Sequence, residues 1–339
     1  MPDTVLVPGI ATGIGSLPHH DAGAAAALVL RCLPELPAAP QLPKRTPLEG
    51  FVAQWARAIH GVEIQPDGSI TVPRPIDANA QIDATFDALA HGGLLTFLDT
   101  AAAQPAPPRR VKVQCAGPLS LGVALADAGV GVDDAFALAA RTARAWAAAL
   151  ESLVASRLPD AKIVLCFDEP ALARLGGRPD ARVCELIDRE LATDMLSSAL
   201  AGPACLTAVH VCGDGDLRLA LDAGPRLVHF DAAVLDFDDA TVLGRFLEGG
   251  GWVMWGAIPT DRPVGEHASP IWRALLDVWC ELTRRGCDPS RLRSQALVAP
   301  ACGLAGHGVS QAERTMMLAR EIGGRVHDHG AATKLAVGA

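Results

Sequence analysis

Short apolar runs alternate with longer amphipathic stretches along this chain, a pattern that predicts repeated strand–helix units around a parallel sheet. Eight runs stand out: Thr12–Ser16, Pro40–Leu42, Val111–Cys115, Lys162–Phe167, Leu206–Val211, Arg226–Phe230, Trp252–Ala257 and Ala296–Pro300. The clearest stretch between them, Asp134–Leu158, opens on acidic residues and carries Leu138, Trp146, Leu150 and Leu153 at helical spacing. Eight such units predict an α/β fold: one (β/α)8 TIM barrel over residues 1–339, a single domain. The second and third runs are too far apart for one crossover. The turn Gln65-Pro66-Asp67-Gly68-Ser69 followed by Ile70-Thr71-Val72 predicts that residues 43–110 insert one or two helices and a small hairpin at the barrel mouth. The alanine- and proline-rich stretch 102–108 reads as a stiff surface connection.

Composition narrows the partners. Half of the 339 residues are apolar, and the net charge is −9 without a Lys/Arg-rich block, which argues against nucleic acid or an anionic membrane as partner. There is no tyrosine, so that side chain is excluded as a general acid. No stretch of eighteen uninterrupted apolar residues occurs and Met1-Pro2-Asp3 lacks a basic opening, so the expected location is the cytoplasm. Nine cysteines in an odd, scattered set do not predict a disulfide framework. Most read as small buried apolar residues.

Two cysteines depart from that reading because they sit at predicted strand ends among polar groups. Along a strand, side chains alternate faces, so His210 and Cys212 point the same way while Val211 points away. Cys302 ends another run and supplies a second thiolate if the two strands share one barrel, a donor set that favours Zn2+ over harder cations. Working sites in (β/α)8 barrels lie at the carboxyl ends of the strands. The unusual residues fall there: Gly15-Ser16, Asp168-Glu169, His210-Val211-Cys212, Asp231 and Cys302-Gly303. Asp231 is either a fourth metal ligand or the cap of the following helix, and His229 shares its face as a weaker ligand candidate. Asp168 either holds a ligand's ammonium group or, with Glu169, complements a helix dipole. Glu169, its neighbour, faces the barrel wall or a structural partner. The Gly13-Ile14-Gly15-Ser16 turn offers N–H groups and a hydroxyl to a small anion such as a carboxylate. His19, His20 and His307 read as exposed loop residues.

Read in order, Ile14-Gly15-Ser16, Asp168-Glu169-Pro170-Ala171-Leu172, His210-Val211-Cys212 and Cys302-Gly303-Leu304 resemble the catalytic half of the cobalamin-independent methionine synthase family. The resemblance implies a TIM barrel that methylates homocysteine to methionine. It implies a zinc ion held by His210, Cys212, Cys302 and a downstream carboxylate, for which Asp231 stands where the full-length enzymes have glutamate. It also implies that Gly15, Ser16 and Asp168 hold the amino-acid end of homocysteine. Gln41-Leu42-Pro43-Lys44-Arg45, Phe230-Asp231-Ala232 and Ile258-Pro259-Thr260 are similar to the short, single-barrel members. Matches to the folate-handling parts of the two-barrel enzymes are not found, so the donor implied is methylcobalamin or a methylated corrinoid protein rather than folate. Two rivals stay open: transfer of a methyl or alkyl group to another thiol, and an inactive zinc- or homocysteine-binding module.

Overall fold

The computed structural model describes residues 6–173 and 182–336. Two short strands, β1 (Glu63–Ile64) and β2 (Ile70–Thr71), pair antiparallel around the 65–69 turn, with Glu63 opposite Thr71. The other six are β3 (Arg110–Ala116), β4 (Lys162–Glu169), β5 (Leu206–Val211), β6 (Leu227–Asp231), β7 (Trp252–Ile258) and β8 (Ala296–Pro300). They form one curled parallel sheet in sequence order, β3 to β8, with helices between successive strands.

The first two predicted strands form single bridges instead. Ala11 pairs with Val298 of β8, Ser16 with Gln41, and Ala38 with Lys112 of β3, all parallel. The supporting bonds include Thr12 N–H to Val298 O at 2.9 Å, Gln41 N–H to Gly15 O at 2.9 Å and Ala39 N–H to Lys112 O at 2.8 Å. Local chemistry explains the shortfall. Gly15, at φ +137°, takes the first segment off the strand path, and Pro37, Pro40 and Pro43 remove three ladder donors from the second.

The sheet is buried on both faces, as a parallel sheet with covering helices requires. Val111, Val113, Leu165, Phe167, Val209, Val211, Val228 and Trp255 look outward into the main apolar core, whose members run from Ala11 to Val326. The alternate positions Val164, Cys166, Ala208, Leu227, Met254 and Leu297 form a separate inner cluster with Leu6, Ile10 and Leu36. Two residues further along the same face the side chains turn polar: Asp168, His210 and His229 lie in register on β4, β5 and β6. All three are buried, as are Lys112 and Gln114 on β3. An apolar plug therefore ends in a polar layer at the carboxyl ends of the strands, which is where the candidate site sits.

The 43–110 insertion holds the expected hairpin and helices, among them Ala53–Ala56 and Gly92–Ala102. Its apolar residues, including Ala56, Ile59, Val62 and Ile70, pack on the helices Pro118–Asp127 and Val132–Arg157. Glu49 pins the start of the insertion: it is buried and accepts from Leu42 N–H at 2.8 Å, Gly93 N–H at 3.2 Å and Arg45 Nε at 2.7 Å. The long helix occupies Val132–Arg157, close to its predicted span. Among the described residues, no helix is long and apolar enough to cross a membrane.

His91 makes this region acid-sensitive. It lies against Trp55, Phe86 and Trp146 with ring centroids 5.1–5.7 Å away, and burial, aided by the Arg57 charge, lowers its pKa to about 4. The folded chain therefore binds fewer protons here than the unfolded chain, whose imidazole titrates near 6.5. The contribution is complete above about pH 6.5 and is lost as pH falls toward 4, in total about 3 kcal/mol. The His91→Phe variant keeps the ring packing and is expected to flatten that part of the stability–pH curve, as read by urea unfolding from pH 7.5 to 4.5. An unchanged slope would show that His91 does not carry it.

Candidate metal centre

His210 is the penultimate residue of β5 and Cys212 follows its end, so both project from the concave face. Cys302 lies just beyond β8, three strands away in the sheet, and the curl of the sheet brings it over the same point. A register irregularity between β7 and β8 falls at Gly256 and Ile258. Gly256 lets the chain turn inward there, since a Cβ would stand 2.5 Å from Phe230 O and 2.9 Å from the Cα of Ala301. His210 Nε2, Cys212 Sγ and Cys302 Sγ lie within 4.8 Å of one another. His210 Nε2 is 3.0 Å from Cys212 Sγ and 3.9 Å from Cys302 Sγ.

These distances suit a common metal ion. Tetrahedral zinc, with Zn–S about 2.3 Å and Zn–N about 2.0 Å, holds its ligand atoms roughly 3.5–3.8 Å apart, between the two N···S separations observed. The donor set, two thiols and an imidazole, is that of a borderline-soft cation. Burial pushes the His210 pKa well below its usual value, with His229 and Lys112 adding to the effect, so the ring is neutral and can coordinate. The two thiols act on each other. The hydrogen bond between them, with burial, raises the Cys212 pKa well above its usual value, and the same bond lowers that of Cys302 to about 7. A metal bound by these thiols displaces their protons.

Behind the ligands, His210 Nδ1 contacts His229 Nδ1, and His229 Nε2 lies 2.9 Å from the Pro300 carbonyl. Asp231 is placed otherwise than a ligand requires. Its Oδ1 accepts the Ala233 N–H at 2.9 Å, capping the short helix Ala232–Val234, and the carboxylate falls outside the three-residue group.

Ser16 lies beside Gly303, the neighbour of Cys302. A Cβ on Gly303 would come within 3.0 Å of Ser16 Cβ, and Leu304 N–H donates to Ser16 O at 2.9 Å. The turn before it is clamped from β3: Lys112 Nζ donates to Ile14 O at 2.8 Å and to Gln114 Oε1 at 3.3 Å. The Gln114 amide donates to Ala39 O at 2.7 Å and occupies the space that a Cβ on Gly15 would take, 2.2 Å away. Asp168 is buried on the same concave face, with the Cys166 thiol 3.8 Å from its Oδ1. Burial raises its pKa to about 7 against the opposing Lys112 charge.

Glu169 turns the other way. It accepts from Leu119 N–H at 2.9 Å and Ser120 N–H at 2.8 Å, and from Ser120 Oγ at 2.6 Å, capping the helix Pro118–Asp127. Gly117 leaves it room, since a Cβ there would meet Glu169 Oε1 at 2.1 Å. The Glu169→Gln substitution sets an amide N–H against those donors and is expected to cost about 1–3 kcal/mol. Denaturant unfolding checks the loss, and metal affinity is expected to stay unchanged. A variant as stable as the parent would contradict the capping role.

Of the loop histidines, His19 is buried, His20 is exposed, and His307 Nε2 lies 2.9 Å from Thr260 O. Lys112, Gln114 and the His229 contact were not singled out from sequence. Their signal was there: each is a polar residue at an alternate position of an apolar run, in a fold whose strands are buried on both faces.

No known family profile and no curated protein matches this chain. A solved structure, of a Xaa-Pro dipeptidase with bound methionine in the active site, is 14% identical. It aligns over 76% of this chain and 74% of its own, and its TM-score of 0.30 is too low to carry an argument.

Proposed function

We propose that this chain is a zinc-dependent S-methyltransferase that methylates the thiol of homocysteine to give methionine. One observation carries the reading: His210, Cys212 and Cys302 converge at the carboxyl ends of β5 and β8, beside Ser16 and on the face that bears Asp168. The scaffold proposed is a (β/α)8 barrel in which the bridged segments around Ala11–Ser16 and Ala38–Gln41 stand as the two remaining staves between β8 and β3.

The three ligands would hold the zinc, with Asp231 as fourth ligand only if its carboxylate moved toward them; the ion would supply acidity to a bound thiol, which is otherwise mostly protonated at neutral pH. Asp168 would accept the substrate ammonium, and the Gly15-Ser16 turn, held by Lys112 and Gln114, would meet its carboxylate. The sulfur–carbon bond forms as the donor releases the methyl carbon and keeps the bonding pair, and the thiol proton passes to solvent. Holding both reactants in line contributes on the order of 7–11 kcal/mol to such a step.

The donor proposed is methylcobalamin or a methylated corrinoid protein. Purified zinc-loaded protein is expected to form methionine from homocysteine and methylcobalamin, and not from methyltetrahydrofolate. Turnover of a different thiol with homocysteine inert would move the reading to that acceptor. Full zinc occupancy without methyl transfer to any thiol would overturn it.

A further inference from the structure

We infer that His229 is a positioning residue which, with the Pro300 carbonyl, fixes the tautomer of His210 so that Nε2 faces the metal as a bare acceptor. The inference rests on the metal-centre reading above and follows from counting hydrogens along one chain of contacts. Pro300 O can only accept, so His229 Nε2, 2.9 Å away, carries a hydrogen and donates it. A neutral imidazole has one N–H, so His229 Nδ1 is then an acceptor. Its contact is His210 Nδ1, which must therefore carry the hydrogen of that ring. His210 Nε2 is left with its lone pair directed toward Cys212 and Cys302.

Every member of the relay is buried, so bulk water does not compete for these contacts. The register also serves it: His210 and His229 are directly paired residues of β5 and β6, and their ring centroids lie 4.4 Å apart. Pro300 is the last residue of β8, two positions before Cys302. The strand that delivers one thiolate thus also sets the orientation of the histidine ligand from another strand. Metal-bound histidines commonly hand their second nitrogen to a carboxylate, carbonyl or water; here a second imidazole is interposed between ligand and carbonyl.

The relay is read directly by long-range 1H–15N correlation spectra of the metal-free protein at neutral pH. They are expected to show the hydrogen on Nδ1 of His210 and on Nε2 of His229; a hydrogen on Nε2 of His210 would overturn the inference. The His229→Phe variant keeps a ring of similar shape and removes both nitrogens. Its zinc dissociation constant, measured by chelator competition, is expected to rise about 10–100-fold with the fold retained by circular dichroism. The second variant, His229→Gln, can both accept and donate and is expected to recover part of that loss. Equal zinc affinity in parent and His229→Phe would overturn the positioning role. A parent protein that binds no zinc while its spectra show the stated tautomers would instead sink the metal-centre reading and leave the relay standing.

Discussion

The substitution Cys302→Ala is expected to weaken zinc binding by more than about 100-fold, beyond what loss of a supporting contact costs, while the circular dichroism spectrum stays that of the parent. The asymmetry follows from where the residue sits. Cys302 is a half-buried residue beyond the end of β8, outside the apolar clusters on either face of the sheet. Its removal leaves two donors, His210 and Cys212, where the geometry brings three together. Two protein donors fall short of the three that hold zinc in sites that keep one position open. The exposed Cys280 provides the control, since Cys280→Ser is expected to leave metal content untouched. Equilibrium dialysis against zinc, followed by metal analysis, reads the difference. A Cys302→Ala protein that retains zinc at parental affinity would remove Cys302 from the site.

The second large effect is expected at Asp168. Its carboxylate lies on the concave face in register with His210 and is buried. A charge paired with a buried carboxylate loses about 2–4 kcal/mol when the partner is neutralised, which is roughly 30-fold or more in affinity. Asp168→Asn is therefore expected to weaken homocysteine binding by that factor in calorimetry, with zinc affinity held within a few-fold of the parent. The split distinguishes a substrate contact from a metal ligand. Loss of zinc together with homocysteine would mean that Asp168 supports the metal centre instead, and unchanged homocysteine affinity would remove the ammonium contact.

Much of this was legible in the sequence because parallel strands buried on both faces read as unbroken apolar runs. Leu206–Val211 and Ala296–Pro300 fall where the runs placed them, and the other four long strands differ by a residue or two at their ends. The first two runs failed for reasons of backbone chemistry: a glycine at positive φ, Gly15, and closely spaced prolines limit those segments to single bridges. His210 and Cys212 were visible through period-two alternation. Cys302 was visible only as a strand-end cysteine, since its approach depends on the curl of the sheet and the bare Cα of Gly256. Asp231 shows the limit of such reasoning. An acidic residue at a strand end can serve a metal or cap a helix, and the local N–H of Ala233 takes it here. The buried Lys112 and Gln114 were hidden by their apolar neighbours, because a run read as a whole conceals which face each member occupies, and His229, read as a weaker ligand candidate, instead contacts His210.

X-ray absorption at the zinc edge of the purified, zinc-loaded protein tests the central claim most directly. The expected result is one zinc per chain in a four-coordinate shell with two sulfurs at about 2.3 Å and imidazole nitrogen at about 2.0 Å. A shell of oxygen and nitrogen alone would contradict it, as would a protein that takes up no zinc.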